Sequence, residues 1–254
     1  MFLRRGARIG GFVAVTAAML PAFVARQAWT APRRRGAVRD AWVRAWSGTL
    51  LDLFSVTLDL GGAAPPPGGR LVVANHRSAI DILVLLRVFG GCVVSRADLA
   101  GWPLIGAAAR STGTIFVDRS RTTSGAGAIR EIRQRLAEGQ TVILFPEGTT
   151  FEGDLVRPFR AGAFLSVRGA EASIVPVGLA YPADSEAAFV NEPFRAHLVR
   201  MAGARATRVA VRVGEPIVAG SDARAGDLSV ASRDAVQDLV HAARAAVERP
   251  LYQR

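Results

Sequence analysis

The stretch Leu71-Val72-Val73-Ala74-Asn75-His76-Arg77-Ser78-Ala79-Ile80-Asp81, continuing through Ile82–Phe89 to Gly90-Gly91, decides the fold. Leu71–Ala74 is a short apolar strand. It passes through a polar turn into Ala79–Phe89, an apolar helical pattern stopped by two glycines. Strands and helices continue to alternate downstream. Cys92–Ser95 and Thr114–Val117 read as strands, Ala128–Glu138 as a helix with Gly139 as its stop, and Thr141–Phe145 as the next strand. Ile174–Ala180 and Arg208–Val213 are rich in β-formers, and Ser232 is placed to cap a last helix to about Val247. Strands alternating with helices predict an α/β domain, a mostly parallel sheet flanked by helices. No internal repeat is visible.

Upstream, Gly61-Gly62-Ala63-Ala64-Pro65-Pro66-Pro67-Gly68-Gly69 reads as a linker. Residues 38–60 read as an amphipathic helix with Trp42, Trp46, Leu50 and Leu53 on one stripe, and Asp40, Arg44, Ser47, Asp52 and Asp59 on the other side. Gly48 interrupts that pattern. Two tryptophans on an apolar stripe suit a bilayer interface, and equally a helix packed on the body. Ile9 to Ala25 carries no charge and sits between Arg4, Arg5, Arg8 and Arg26. Seventeen helical residues rise about 26 Å, slightly less than a hydrocarbon core of about 30 Å. A tilted anchor, a signal peptide and an interfacial helix or hairpin broken at Pro21 compete for this segment. The organisation expected is therefore N-terminal membrane-associated helices over 1–60, a linker over 61–69 and the body over 70–254.

The 254 residues are 50% hydrophobic and 21% charged, which excludes a disordered polyelectrolyte. One cysteine, Cys92, excludes an internal disulfide framework. The formal charge of +11 suggests nucleic acid until it is located. Every basic residue is arginine, and residues 1–44 hold nine of them against the single acid Asp40. The rest of the chain is nearly balanced, so the expectation is a basic, membrane-facing N-terminal arm and no nucleic-acid partner. The three histidines, His76, His197 and His241, form no metal-ligand spacing, so no metal is expected. No P-loop or strand-following GxGxxG is present.

Chemistry is expected where strands end, because ligands of α/β sheets bind at the carboxyl edge. His76 and Asp81 are five apart and would not share a face of a helix. They meet only if His76 sits in the turn and Asp81 in the first turn of the helix. The carboxylate would then fix the imidazole tautomer and stabilise its protonated form, making a general base for a substrate hydroxyl. Ser78 is nearby but no GxSxG elbow surrounds it. Two more strands end in polar residues, Val117-Asp118-Arg119 and Phe145-Pro146-Glu147-Gly148-Thr149.

Taken in order, these blocks resemble the glycerolipid acyltransferases of the lysophosphatidic acid acyltransferase type, over roughly residues 70–215. His76 and Asp81 match the family's HX4D motif; Gly113, Phe116 and Arg119 its second block; Phe145 to Thr149 its third; and Val175-Pro176-Val177 its fourth. The resemblance implies that residues 70–254 form an acyltransferase domain. It implies transfer of a fatty acyl group from acyl-CoA or acyl carrier protein to the hydroxyl of a lysophospholipid. Either thioester would be a co-substrate, with no further cofactor. His76 and Asp81 would be catalytic. Arg119, Glu147, Gly148, Thr149, Gly113 and Arg160 would bind substrate, with Arg119 the first candidate for a phosphate and Arg160 a second anion contact. The third block often continues Arg-Ser, whereas here it continues Thr150-Phe151. A related branch acylates lyso-ornithine lipid, and a non-catalytic lipid-binding protein of the same fold is a further alternative. The expected location is the inner membrane with the domain facing the cytoplasm, where a lysolipid is taken from the bilayer and the thioester arrives from the cytosol.

Overall fold

The computed structural model describes residues 2–118, 122–220 and 222–248. Strands β1 (Val56–Gly62), β2 (Gly69–Ala74), β3 (Cys92–Arg96), β4 (Ile115–Val117), β5 (Thr141–Leu144), β6 (Ala172–Ala180), β7 (Thr207–Val213) and β8 (Ile217–Val218) form one sheet. Its order is β1-β7-β6-β2-β5-β3-β4, with β8 also on β6. Only the pairings of β6 with β7 and with β8 are antiparallel. The mostly parallel α/β architecture expected from the sequence is therefore present.

Period-2 geometry sorts the central strands onto two cores. Val72 and Ala74 of β2 face a cluster with α2 (Arg35–Leu53) and α3 (Asp81–Phe89). Leu71 and Val73 face a second cluster with α5 (Thr122–Ala137) and α7 (Ala225–Val247). Both sets of β2 residues are fully buried, which is why that strand reads as an unbroken apolar run.

Three readings of the sequence need correction. The helix expected over 38–60 ends at Leu53, and Val56–Gly62 is a strand pairing in parallel with β7. The Gly/Pro stretch that looked like a linker from 61 is a loop only between Gly62 and Gly69. Ser232 caps nothing: it is buried inside α7, which begins at Ala225. Pro176 lies on β6, in the interior of the sheet. It falls in β6 between the residues paired with β8 (Ser173, Ile174) and those paired with β7 (Val177–Ala180), where a missing N–H costs least.

The N-terminal helix α1 (Phe2–Ala28) is long and apolar enough to cross a membrane. One of its faces nevertheless packs on the body along most of its length. Arg8 is buried and donates to the carbonyls of Ala204 (2.5 Å), Ala202 and Arg205 (3.4 Å each) at the end of α6 (Phe194–Gly203), and to Ser55 Oγ (2.6 Å). Trp46 Nε1 donates to Thr16 Oγ1 at 3.2 Å, and the rings of Phe23 and Trp42 lie 4.7 Å apart. Both tryptophans of the amphipathic stripe thus pack on α1. Gly48 sits where α2 meets α3; a Cβ there would lie 3.1 Å from Arg87 Nε, so the helix-weakening glycine admits a side chain of α3.

Candidate active site

β2 ends at Ala74 and α3 starts at Asp81, leaving Asn75–Ile80 as the turn between them. Asn75 continues the ladder with its side chain: Nδ2 donates to Leu179 O (2.9 Å), and Leu179 N donates to Oδ1 (2.8 Å). This exchange pins the turn to β6. Asp81 is fully buried, and its Oδ2 accepts N–H bonds from Arg77 (2.7 Å) and Ser78 (2.8 Å). The same oxygen lies 2.8 Å from His76 Nδ1. The pair therefore meets across turn and first helical residue, as its spacing required. Oδ1 accepts the phenolic O–H of Tyr181, the residue after β6. A carboxylate with this many donors is held in one orientation.

His76 stacks on Phe145 with ring centroids 4.0 Å apart. With Nδ1 held by Asp81, Nε2 remains for a substrate, and among the described residues it has no protein partner. His76 lines a cavity of about 650 Å³. Its walls are mainly apolar and come from α1 (Phe12), α2 (Trp46, Leu50), α3 (Ile82, Leu83) and α6 (Leu198, Met201). Thr149, Gly148 and Arg160 lie on its polar side. Gly148 has φ +87°, and a Cβ there would fall 2.8 Å from Arg160 Nε, so glycine lets that guanidinium lie along the turn.

Glu147 is not among the residues that line this cavity. Its side chain is buried, Oε2 accepts from His76 N (2.7 Å) and Arg77 Nη1 (2.8 Å), and Oε1 accepts from Arg157 N (2.9 Å). Arg77 also donates to the carbonyls of His76 (2.8 Å), Gly153 (2.6 Å) and Leu155 (3.0 Å). The Glu147–Arg77 pair fastens the turn of β2 to the loop after β5. Gly113 is not brought to His76 either. It precedes β4, with φ +81°, and lines a separate polar pocket beside Arg135 and Arg39. Its motif position is explained by a left-handed turn, which only glycine adopts freely. Arg119 lies outside the described residues.

Sequence reasoning passed over Tyr181, Arg77 and His197. His197 is buried in α6, with Nε2 3.3 Å from Ser78 Oγ and Nδ1 3.2 Å from Arg200 Nη2. Burial, and then the neighbouring Arg200 charge, hold its pKa below the usual imidazole value. Tyr181 was within reach of the rule that finds groups at strand ends; His197, on a helix distant in sequence, left no signal.

Comparison with known proteins gives the chain a family and a fold. The chain is 32% identical over 230 residues to the lyso-ornithine lipid O-acyltransferase of Pseudomonas aeruginosa, covering 85% of this chain and 84% of that one. The chain belongs to the glycerolipid acyltransferase family. The Acyltransferase family profile matches residues 61–180, from the end of β1 to the end of β6. It thus contains His76, Asp81 and Glu147 and stops one residue before Tyr181. The 1-acyl-sn-glycerol-3-phosphate acyltransferase of Neisseria meningitidis is 32% identical over 133 residues, 52% of each chain. The crystal structure of the 1-acyl-sn-glycerophosphate acyltransferase of Thermotoga maritima superposes with a TM-score of 0.70 over 98% of this chain and 97% of that one, at 18% identity, and so shows the acyltransferase fold.

Proposed function

We propose that the protein is an O-acyltransferase that moves a fatty acyl group from a thioester to the hydroxyl of a lysolipid. The observation that carries this reading is the His76 Nδ1–Asp81 contact of 2.8 Å, beside an apolar cavity into which Nε2 is free to act. Nε2 takes the hydroxyl proton as the oxygen attacks the thioester carbonyl carbon. Asp81 stabilises the imidazolium that forms. The tetrahedral intermediate then collapses, the C–S bond breaks, and the departing sulfur takes the proton from Nε2. One ester bond forms and one thioester bond is lost. The apolar walls suit an acyl chain, whose burial stabilises by about 0.8 kcal/mol per methylene.

The acceptor we infer is 1-acyl-sn-glycerol-3-phosphate, giving phosphatidic acid, with Arg160 on the polar side of the cavity able to meet a phosphate. Lyso-ornithine lipid is the second reading. It is favoured by the Pseudomonas relative, which matches over 85% of this chain, and by Thr150-Phe151 after the third block. The donor is acyl-CoA or acyl carrier protein. The enzyme works at the cytoplasmic face of the inner membrane, with α1 against the bilayer.

The test is acyl transfer by membranes holding the protein or its His76→Ala variant. Oleoyl-CoA or an acyl carrier protein thioester is offered with each lysolipid, and products are read by mass spectrometry. His76-dependent phosphatidate supports the first acceptor; product from lyso-ornithine lipid alone moves the reading to the second. Free fatty acid without a diacyl product would identify a hydrolase, and no His76-dependent product with any pair would refute acyl transfer.

A further inference from the structure

The bond to His76 occupies one oxygen of the Asp81 carboxylate, and the other oxygen faces elsewhere. Oδ2 is shared by His76 and the N–H groups of Arg77 and Ser78. Oδ1 takes the phenol of Tyr181, which is buried. Tyr181 reaches Asp81 from the end of β6, and its own carbonyl accepts from Arg244 Nη1 of α7. Arg244 also pairs with Asp154 through two contacts of 2.8 Å. The phenol is thus fixed from behind by a strand and a helix that do not contribute to the cavity.

We propose that Tyr181 is a positioning residue of the acyltransferase reaction, whose O–H governs how strongly Asp81 holds the imidazolium of His76. The proposal rests on the assignment of His76 as base. A carboxylate that gives one oxygen to a strong donor has less electron density for the others. Tyr181 therefore moderates Asp81: it keeps the carboxylate oriented while preventing it from trapping His76 in the protonated form, which cannot accept a substrate proton. Tyr181 keeps its own proton throughout. Burial first, and then the adjacent Asp81 charge, push the phenol well above its usual range. No group is transferred through it.

The other charged neighbours do not substitute for it. The Arg77 guanidinium is committed to Glu147 and three carbonyls. From α6, His197 hydrogen-bonds the turn at Ser78 Oγ and feels the Asp81 charge without bonding it, with Arg200 and Glu192 behind it. From α7, Arg244 meets the backbone of Tyr181 and Asp154, not Asp81.

The test uses Tyr181→Phe, which keeps the ring. We expect kcat to fall about ten- to hundred-fold, the loss of one charged hydrogen bond, with KM for the lysolipid little changed. The acid limb of the pH–rate profile should move to higher pH by about one unit. A second measurement needs no substrate: the imidazole titration of His76, followed by NMR and assigned with His76→Ala, should move the same way. A third goes in the opposite sense. The only other tyrosine is Tyr252, outside the described residues. In a Tyr252→Phe background, 3-fluorotyrosine replaces Tyr181 alone, strengthens the donor, and should move the acid limb down. Unmoved acid limb and titration in both variants would overturn the proposal, even if kcat fell with the folded fraction. A shifted titration without acyl transfer by the wild type would uphold the Tyr181–Asp81–His76 coupling and count against the acyltransferase reading instead.

Discussion

The turn of residues 75–81 and the α1–α2 hairpin both border the cavity, yet different forces hold them. The turn is made of directional polar bonds. Asn75 bridges to β6, Asp81 gathers the N–H groups of Arg77 and Ser78, and the Glu147–Arg77 pair locks the next loop. Each group there is buried with its partners, so removing one strands another. The hairpin is mostly van der Waals contact, with a few ties such as Arg8 to the end of α6 and Trp46 to Thr16. Geometry at the reacting atoms needs the first kind of region. A cavity for a flexible chain can be built from the second, because apolar packing tolerates changes of shape far better than a polar network tolerates a missing member.

Several substitutions would break or sharpen this contrast. Asp81→Asn should have the largest effect on chemistry. It introduces an NH2 group where the carboxylate accepts N–H bonds and removes the charge that stabilises imidazolium. Turnover should fall by about 10³- to 10⁴-fold. Steady-state kinetics beside a thermal melt would show whether activity drops further than folding does. Glu147→Ala should act on stability first: it leaves the buried Arg77 guanidinium unpaired at a cost of about 3–5 kcal/mol, read from the urea midpoint. An unchanged midpoint would mean that the pair does not fasten the turn.

Changes in the hairpin should be gentler and should alter preference more than rate. Phe12→Ala enlarges the cavity from the α1 side. The ratio of kcat/KM for longer over shorter acyl thioesters should rise by about tenfold, the scale of an apolar pocket's discrimination. No change in that ratio would remove α1 from the acyl-binding wall. The smallest effect expected is that of His197. Its folded pKa lies below the unfolded imidazole value, so below that value the unfolded chain binds more protons. Stability is then lost as pH falls from the ordinary imidazole pKa towards the folded one. Melting temperatures of wild type and His197→Gln, measured from pH 7.5 to 5, should differ in slope across that window and run parallel above it.

The turn was legible because its information is local. A short apolar strand, a polar turn and a helix with Asp81 at its start leave one way for His76 and Asp81 to meet, and the atoms meet that way at 2.8 Å. The hairpin was harder to read. Val56–Gly62 extended a helical pattern on paper, and its strand character comes from pairing with β7, about 150 residues later. Glu147 was found by its motif, but its bonds to Arg77, Arg157 and His76 were not legible, because they are set by three-dimensional neighbours. That Gly113 makes a left-handed turn away from His76 was not legible either: a motif position can serve a backbone turn as well as a ligand.

The sequence by itself determined the α/β class, the His76–Asp81 pair and the apolar, arginine-flanked N-terminal helix, because periodicity, turn residues and spacing act over a few residues. Tertiary structure alone decided that α1 and α2 close over the cavity, that Glu147 serves Arg77, and that Tyr181 completes Asp81. Those relations join residues 30 to 200 positions apart, and which buried donor finds which acceptor is set only when the sheet and its helices have packed.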